Sequence, residues 1–80
     1  MNIYLISQDY NNGRDTYDSA VVVAKSVEDA KTIHPGGGSV SNDDLKYGTW
    51  ASENRIEVKE IGVIFEGQER GVICASFNAG

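Results

Sequence analysis

His34 and Cys74 are the only histidine and the only cysteine in this 80-residue chain, and no spacing joins either to the partners catalysis would need. A side-chain nucleophile requires a base within hydrogen-bonding reach and usually a third group that orients the base. A structural zinc site requires four nitrogen or sulfur ligands. What remains is carboxylate chemistry. Asp15 and Asp18, or a pair of glutamates, would serve a magnesium-dependent hydrolase or nuclease, since magnesium takes one or two carboxylates and completes its shell with substrate phosphates and water. Nothing around Asp43/Asp44 or Glu57/Glu60 marks either as an acid–base pair, and solvated surface is the better reading of both. The expectation is a non-enzymatic domain with no catalytic residue, no metal and no cofactor.

Side chains suited to binding are better represented. Residues 9–16 (DYNNGRDT) hold Asn, Asp and Gly, which accept turn and left-handed conformations. Aligned on Asp9 as a calcium loop, the stretch has Gly13 where the fifth position needs a ligand, and Ala20 where the twelfth needs a bidentate Glu. Calcium is therefore not expected. Tyr10, Arg14, Asp15, Tyr17 and Asp18 nonetheless crowd one connection. Tyrosine offers amphipathic contact area and arginine a planar fork of donors, the side chains a ligand or partner protein would use.

His34-Pro35-Gly36-Gly37-Gly38 invites comparison with a phosphate loop, but phosphate cradles lie where glycines lead into a helix, and these come after one. His34 reads first as a cation at the negative end of a helix dipole, with ligand contact as its second role. Tyr47 and Trp50, separated by Gly48 and Thr49, form either a lid over a small core or a platform for a base or a partner. Cys74, between Ile73 and Ala75, is expected to be a buried, inert thiol. The candidate binding set is thus Tyr10, Arg14, Asp15, Tyr17, His34, Tyr47 and Trp50.

The elements that must position these residues can be read from the hydrophobic pattern. Ile3-Tyr4-Leu5-Ile6 is a short strand, and the continuous apolar run Ala20–Ala24 reads as a strand covered on both faces. The two are expected to pair as a hairpin. Ser26 opens a helix by capping the amide of Asp29, with Glu28 and Asp29 at the positive end of the dipole. Val27, Ala30 and Ile33 recur at helical spacing, and Pro35 with the glycines ends the helix, so it should span 26–34. Ser41-Asn42-Asp43-Asp44 would cap a short turn through Tyr47.

From Arg55, Ile56 and Val58 alternate with Glu57 and Lys59, and the apolar phase then slips to Ile61, Val63 and Phe65. Such a slip predicts a β-bulge at Glu60-Ile61-Gly62. Glu66–Gly71 is expected to be a hairpin loop, and Val72–Phe77 a well-buried last strand. The predicted fold is α+β in the order β-β-α-β-β: one domain over residues 1–80, a four-stranded mainly antiparallel sheet with one helix packed on one face.

The net charge is −5, from 12 acidic and seven basic residues. It disfavours direct nucleic-acid or anionic-membrane binding, both of which depend on clustered Lys and Arg. The amino-terminal run has no basic residue ahead of it and is too short for a signal peptide, and no apolar stretch nears the ~20 residues of a membrane span. A cytoplasmic protein is expected. A domain this small has a thin core, and one cysteine gives no intrachain disulfide, so a homo-oligomer, dimer or higher, is the expected source of added stability.

YLISQ near the start, DTYDSAVVVAKSVEDAKTIHP from Asp15 to Pro35, Thr49-Trp50 and GVICASFNAG at the end resemble short uncharacterised proteins of phages and prophages. The resemblance spans nearly the whole chain. By size and setting it implies a counter-defence factor in the host cytoplasm. One form is an anti-CRISPR-like inhibitor that blocks a host defence protein complex. The other is a sponge that sequesters a small nucleotide signal without cleaving it, with phosphates held by Arg14, Arg55 or Arg70. On either form, truncating Arg14 and Tyr17 together should abolish activity and leave the melting temperature nearly unchanged.

Overall fold

The computed structural model describes residues 1–9, 15–37, 50–51, 53–64 and 69–78. Alternation drives its centre. In β1 (Asn2–Ser7), Tyr4 and Ile6 are buried, while Ile3, Leu5 and Ser7 stay half-exposed on the other face. β2 (Thr16–Ala24) lies antiparallel to β1 and buries Ala20, Val22 and Ala24 on the same side as Tyr4 and Ile6. The expected hairpin is therefore present. β2 begins four residues earlier than the apolar run, which moves Tyr17 and Asp18 out of the connecting loop and into the strand.

α1 (Val27–Ala30) comes at once after β2. Ser26 Oγ accepts the Asp29 amide at 3.1 Å, as the capping argument requires. The helix is one turn rather than a span of 26–34. Thr32 Oγ1 donates to the Asp29 carbonyl at 2.7 Å, the chain tightens into i→i+3 bonds at Thr32 and Ile33, and Pro35 has no amide to continue the ladder. Ala30 and Ile33 still reach the core, whereas Val27 is exposed.

Trp50 and Ala51, the 3₁₀ turn Glu53–Arg55 and Ile56 then lead into β3 (Glu57–Val63). Trp50, 1 % exposed, is the largest fully buried side chain, so it closes the core over the sheet and is not a surface platform. The short turn expected at residues 41–47, and Phe65 with the first part of the predicted 66–71 loop, lie outside the described residues.

The sheet order is β3-β1-β2-β4, with β4 spanning Gly71–Asn78, and every neighbouring pair is antiparallel. This is the expected α+β fold. It is not the expected connection between the last two strands. β3 pairs with β1 and β4 with β2, at opposite edges three inter-strand spacings apart, roughly 14 Å, so the two strands form no hairpin. Placing β4 at an edge also overturns its expected burial: Ile73, Cys74, Ala75, Ser76 and Phe77 are exposed, and the thiol is free at the surface. Apolar residues alone do not distinguish a central strand from an edge strand.

Three bulges shape the sheet. Ile3 faces Gly62 and Tyr4 faces Glu60, leaving Ile61 as the extra residue, where the phase slip predicts it. The β2–β4 ladder skips Asp18 on β2 and Ile73 on β4.

The bridge to β4 is tied to the helix by charge. Arg70 Nε donates to both carboxylate oxygens of Asp29 at 3.0 and 2.9 Å, and Nη2 donates to Asp29 Oδ1 at 2.9 Å and to Thr32 Oγ1 at 3.0 Å. Asp29 also accepts the Lys25 amide at 3.0 Å. The hydrogen bond from Arg70, then that from Lys25, holds the Asp29 carboxyl below its ordinary 3.8, against a smaller opposing effect of burial. Among the described residues, no helix is long and apolar enough to cross a membrane.

Both the buried indole and the charge link can be tested by substitution. Trp50→Ala should cost about 3–5 kcal/mol in urea unfolding, the range for a buried indole, and the native emission of this sole tryptophan should be blue-shifted. Fully solvated emission would remove Trp50 from the core. Asp29→Asn should cost about 0.5–1 kcal/mol at pH 6, because solvent screens a pair whose arginine is partly exposed. Asp29 binds its proton less readily folded than unfolded, so its contribution is complete above pH 3.8 and declines as the pH falls through the lowered folded value. The stability gap between wild type and Asp29→Asn should accordingly hold down to about pH 3.8 and close as the pH falls below it through the lowered folded value. A gap independent of pH would refute the charge link.

Candidate functional site

The bulge at Asp18 creates the most distinctive cluster on the molecule. Regular alternation from Ala20 would turn Asp18 into the core and Tyr17 away from it. The extra residue reverses this: Asp18 is exposed, and Tyr17 packs against the core. Gln8, buried at the end of β1, clamps the irregularity. Its backbone amide donates to the Asp18 carbonyl at 3.1 Å and its Nε2 to the Tyr17 carbonyl at 2.9 Å.

Tyr17 is then caught between two rings. Phe77, its cross-strand partner on β4, lies 4.7 Å away, centroid to centroid, at 58°. His34 stands edge-on at 5.5 Å and 85°. Both separations fall in the favourable range for aromatic pairs. His34 arrives by way of the tight chain after α1. Its Nδ1 accepts the Gly36 amide at 2.9 Å, and its carbonyl accepts the Gly37 amide at 2.8 Å, with Gly37 at φ 106°. A Cβ on Gly36 would lie 3.0 Å from Tyr17 Oη and 3.1 Å from His34 Nδ1, so glycine is what lets the backbone pass beneath the two rings.

His34 is thus buried beyond the one-turn helix, its Nδ1 accepting the Gly36 amide, and does not stand at the helix end where the dipole reading placed it. Phe77, at 47 % exposed, is the open side of the cluster. Two exposed carboxylates lie close to Tyr17 in the sequence. Asp18 accepts a hydrogen bond from Ser76 Oγ at 3.3 Å, and Asp15 occupies a left-handed turn at φ 55°, a conformation aspartate tolerates.

Of the seven residues singled out from sequence, the structure brings Tyr17 and His34 into contact, with Asp15 close by in the chain. Trp50 belongs to the core. Tyr10, Arg14 and Tyr47 lie outside the described residues. Sequence reasoning misses Phe77 and Gln8. It places Phe77 in a buried strand, and only the β2–β4 register shows that this ring meets Tyr17. Gln8 comes directly after an apolar run and reads as its terminator. Arg70 is committed to Asp29, and Arg55 sits before β3, the edge opposite β4. Among the described residues, no group of three or more His, Cys, Asp or Glu side chains is arranged to hold a metal ion.

Comparison with protein-family models, with curated proteins and with solved structures gives no match.

The ring packing revises the expectation for Tyr17. Because it packs on the core, Tyr17→Ala should cost about 1–3 kcal/mol, part of the loss for a fully buried aromatic, with a visible drop in melting temperature. Phe77→Ala, at a half-exposed position, should stay within about 1 kcal/mol of wild type. Equal losses in the two variants would show that Phe77 is a structural member of the cluster and not its open side.

Proposed function

We propose that this chain is a small non-enzymatic binding protein that engages a basic protein surface, with the open Phe77 ring, backed by Tyr17, receiving an arginine or lysine side chain and the exposed Asp15 and Asp18 attracting further positive charge on the partner. The observation that carries this reading is the half-exposed Phe77 ring packed against Tyr17, at a strand end where Asp15 and Asp18, each within two positions of Tyr17 in the chain, are exposed. A cation over an aromatic face is attracted by the ring quadrupole. A net charge of −5 adds long-range attraction for a basic partner and raises the encounter rate.

The same arrangement supports a protein partner over a nucleotide. Phosphates brought to this end of β2 would be repelled by the exposed Asp15 and Asp18, while Arg70 is engaged elsewhere and Arg55 lies toward the far edge. The resemblance to phage proteins supplies the setting: a counter-defence inhibitor that occupies a basic site on a host defence complex.

Native mass spectrometry of the protein purified from cells with active defences tests this. The expected result is a co-purifying protein, released by salt and lost from Phe77→Ala and Asp18→Asn while both variants keep their melting temperature. An aromatic anchor of this kind is worth over ~2 kcal/mol, so Phe77→Ala should weaken binding by at least ~30-fold. A retained small nucleotide, freed on denaturation, would instead establish the sponge.

A further inference from the structure

The two edges of the sheet are not equivalent. β3 carries Glu57, Lys59 and Glu60 and is broken by the bulge at Ile61, the features that keep an edge strand from pairing with another chain. β4, Gly71–Asn78, has the sequence GVICASFN, with no charge and no proline, and no described strand pairs with its outer side. Both edges expose apolar side chains, Ile61 and Val63 on β3 and Ile73 and Phe77 on β4, so what sets β4 apart is its lack of charge. In a chain of net charge −5, copies repel one another over most of their surface, and β4, which carries no charge of its own, is the edge along which they meet with less repulsion than along β3.

We infer that β4 is a homodimer interface, in which two copies pair their last strands antiparallel about a two-fold axis and continue the sheet to eight strands. The bulges set the register. Ile73 interrupts β4, but from Cys74 to Asn78 each successive residue has its own partner on β2, the extra residue there being Asp18 on the other strand. The regular segment Cys74–Asn78 is centred on Ser76. Pairing it with itself sets Ser76 opposite Ser76 of the second copy, Cys74 opposite position 78, and Ala75 opposite Phe77. A small residue then faces a large ring on the helix side of the sheet, a complementary fit repeated twice by symmetry. The interface is built on backbone hydrogen bonds, and its failure would leave the binding role of the Tyr17–Phe77 cluster standing.

Two measurements test it. In sedimentation at ~100 µM, where even a Kd of ~10 µM leaves most chains paired, wild type should run as a dimer. Ala75→Lys, at an exposed position, should run as a monomer with unchanged circular dichroism. In a Cys74→Ser background, Ser76→Cys should form an intermolecular disulfide in a glutathione buffer, because directly opposed residues lie within disulfide reach. The native Cys74 pair should not cross-link, since the two thiols sit four residues apart along the pairing, roughly 13 Å. A cysteine at Glu57 on the guarded edge, in the same background, should also stay reduced. A wild-type monomer, a dimer that survives Ala75→Lys, or cross-linking through position 57 in place of 76 would each overturn the inference.

Discussion

The antiparallel pairing of β1 with β2 is the constraint on which everything else depends. These strands hold the middle of the sheet, and their inward residues, Tyr4 and Ile6 against Ala20, Val22 and Ala24, make one continuous apolar face. That face is covered by a single helical turn together with Ile33, Trp50, Ala51 and Ile56. Small side chains on β2 let Ala30 and Ile33 approach closely, and Trp50 supplies the volume the short helix cannot. A close-packed interior tolerates few voids, so one large indole fills the space that a longer helix fills in a larger domain.

Bulges solve the problem that this sheet's alternation creates. Each extra residue exchanges the faces of the positions beyond it. At Asp18 the exchange removes a carboxylate from the core side and turns a tyrosine inward. At Ile73 it lets both Val72 and Ala75 share the face of their partners Val22 and Ala20. At Ile61 it carries Gly62 across to stand beside Ile3, whose side chain fills the space a Cβ would meet. The ring cluster exists because of the first of these, held by a buried glutamine that donates to the Tyr17 and Asp18 carbonyls on either side of the irregularity.

Charge ties the last strand to the helix. The segment leaving β3 must cross the width of the sheet to reach β4, and Arg70 anchors its far end on the same Asp29 that closes the first turn of α1. One carboxylate thus serves helix start and strand start at once. The coupling is modest in energy but specific in direction, because a guanidinium fork matches a carboxylate in one plane.

Much of the fold is legible in the residue order, and the physical reason is locality. Although the helix ends at Ala30 and not at the Pro35 stop that the sequence suggests, strand alternation, the Ser26 cap and the bulge at Ile61 each depend on neighbours a few positions apart. The same holds for the scarcity of histidine and cysteine, which directs attention to binding before any geometry is known. What only the tertiary structure decided is non-local. Strand order sent β3 and β4 to opposite edges, and no short-range pattern separates a hairpin loop from a crossover of equal length. That order exposed Cys74 and Phe77, which as isolated apolar residues read as buried. The meeting of Tyr17, Phe77 and His34 required a register between strands 60 residues apart and a bulge whose only sequence trace is one aspartate out of phase. Sequence determined which side chains the chain offers, and tertiary structure decided which of them stand together, because contact is set by pairing between distant segments and not by spacing along the chain.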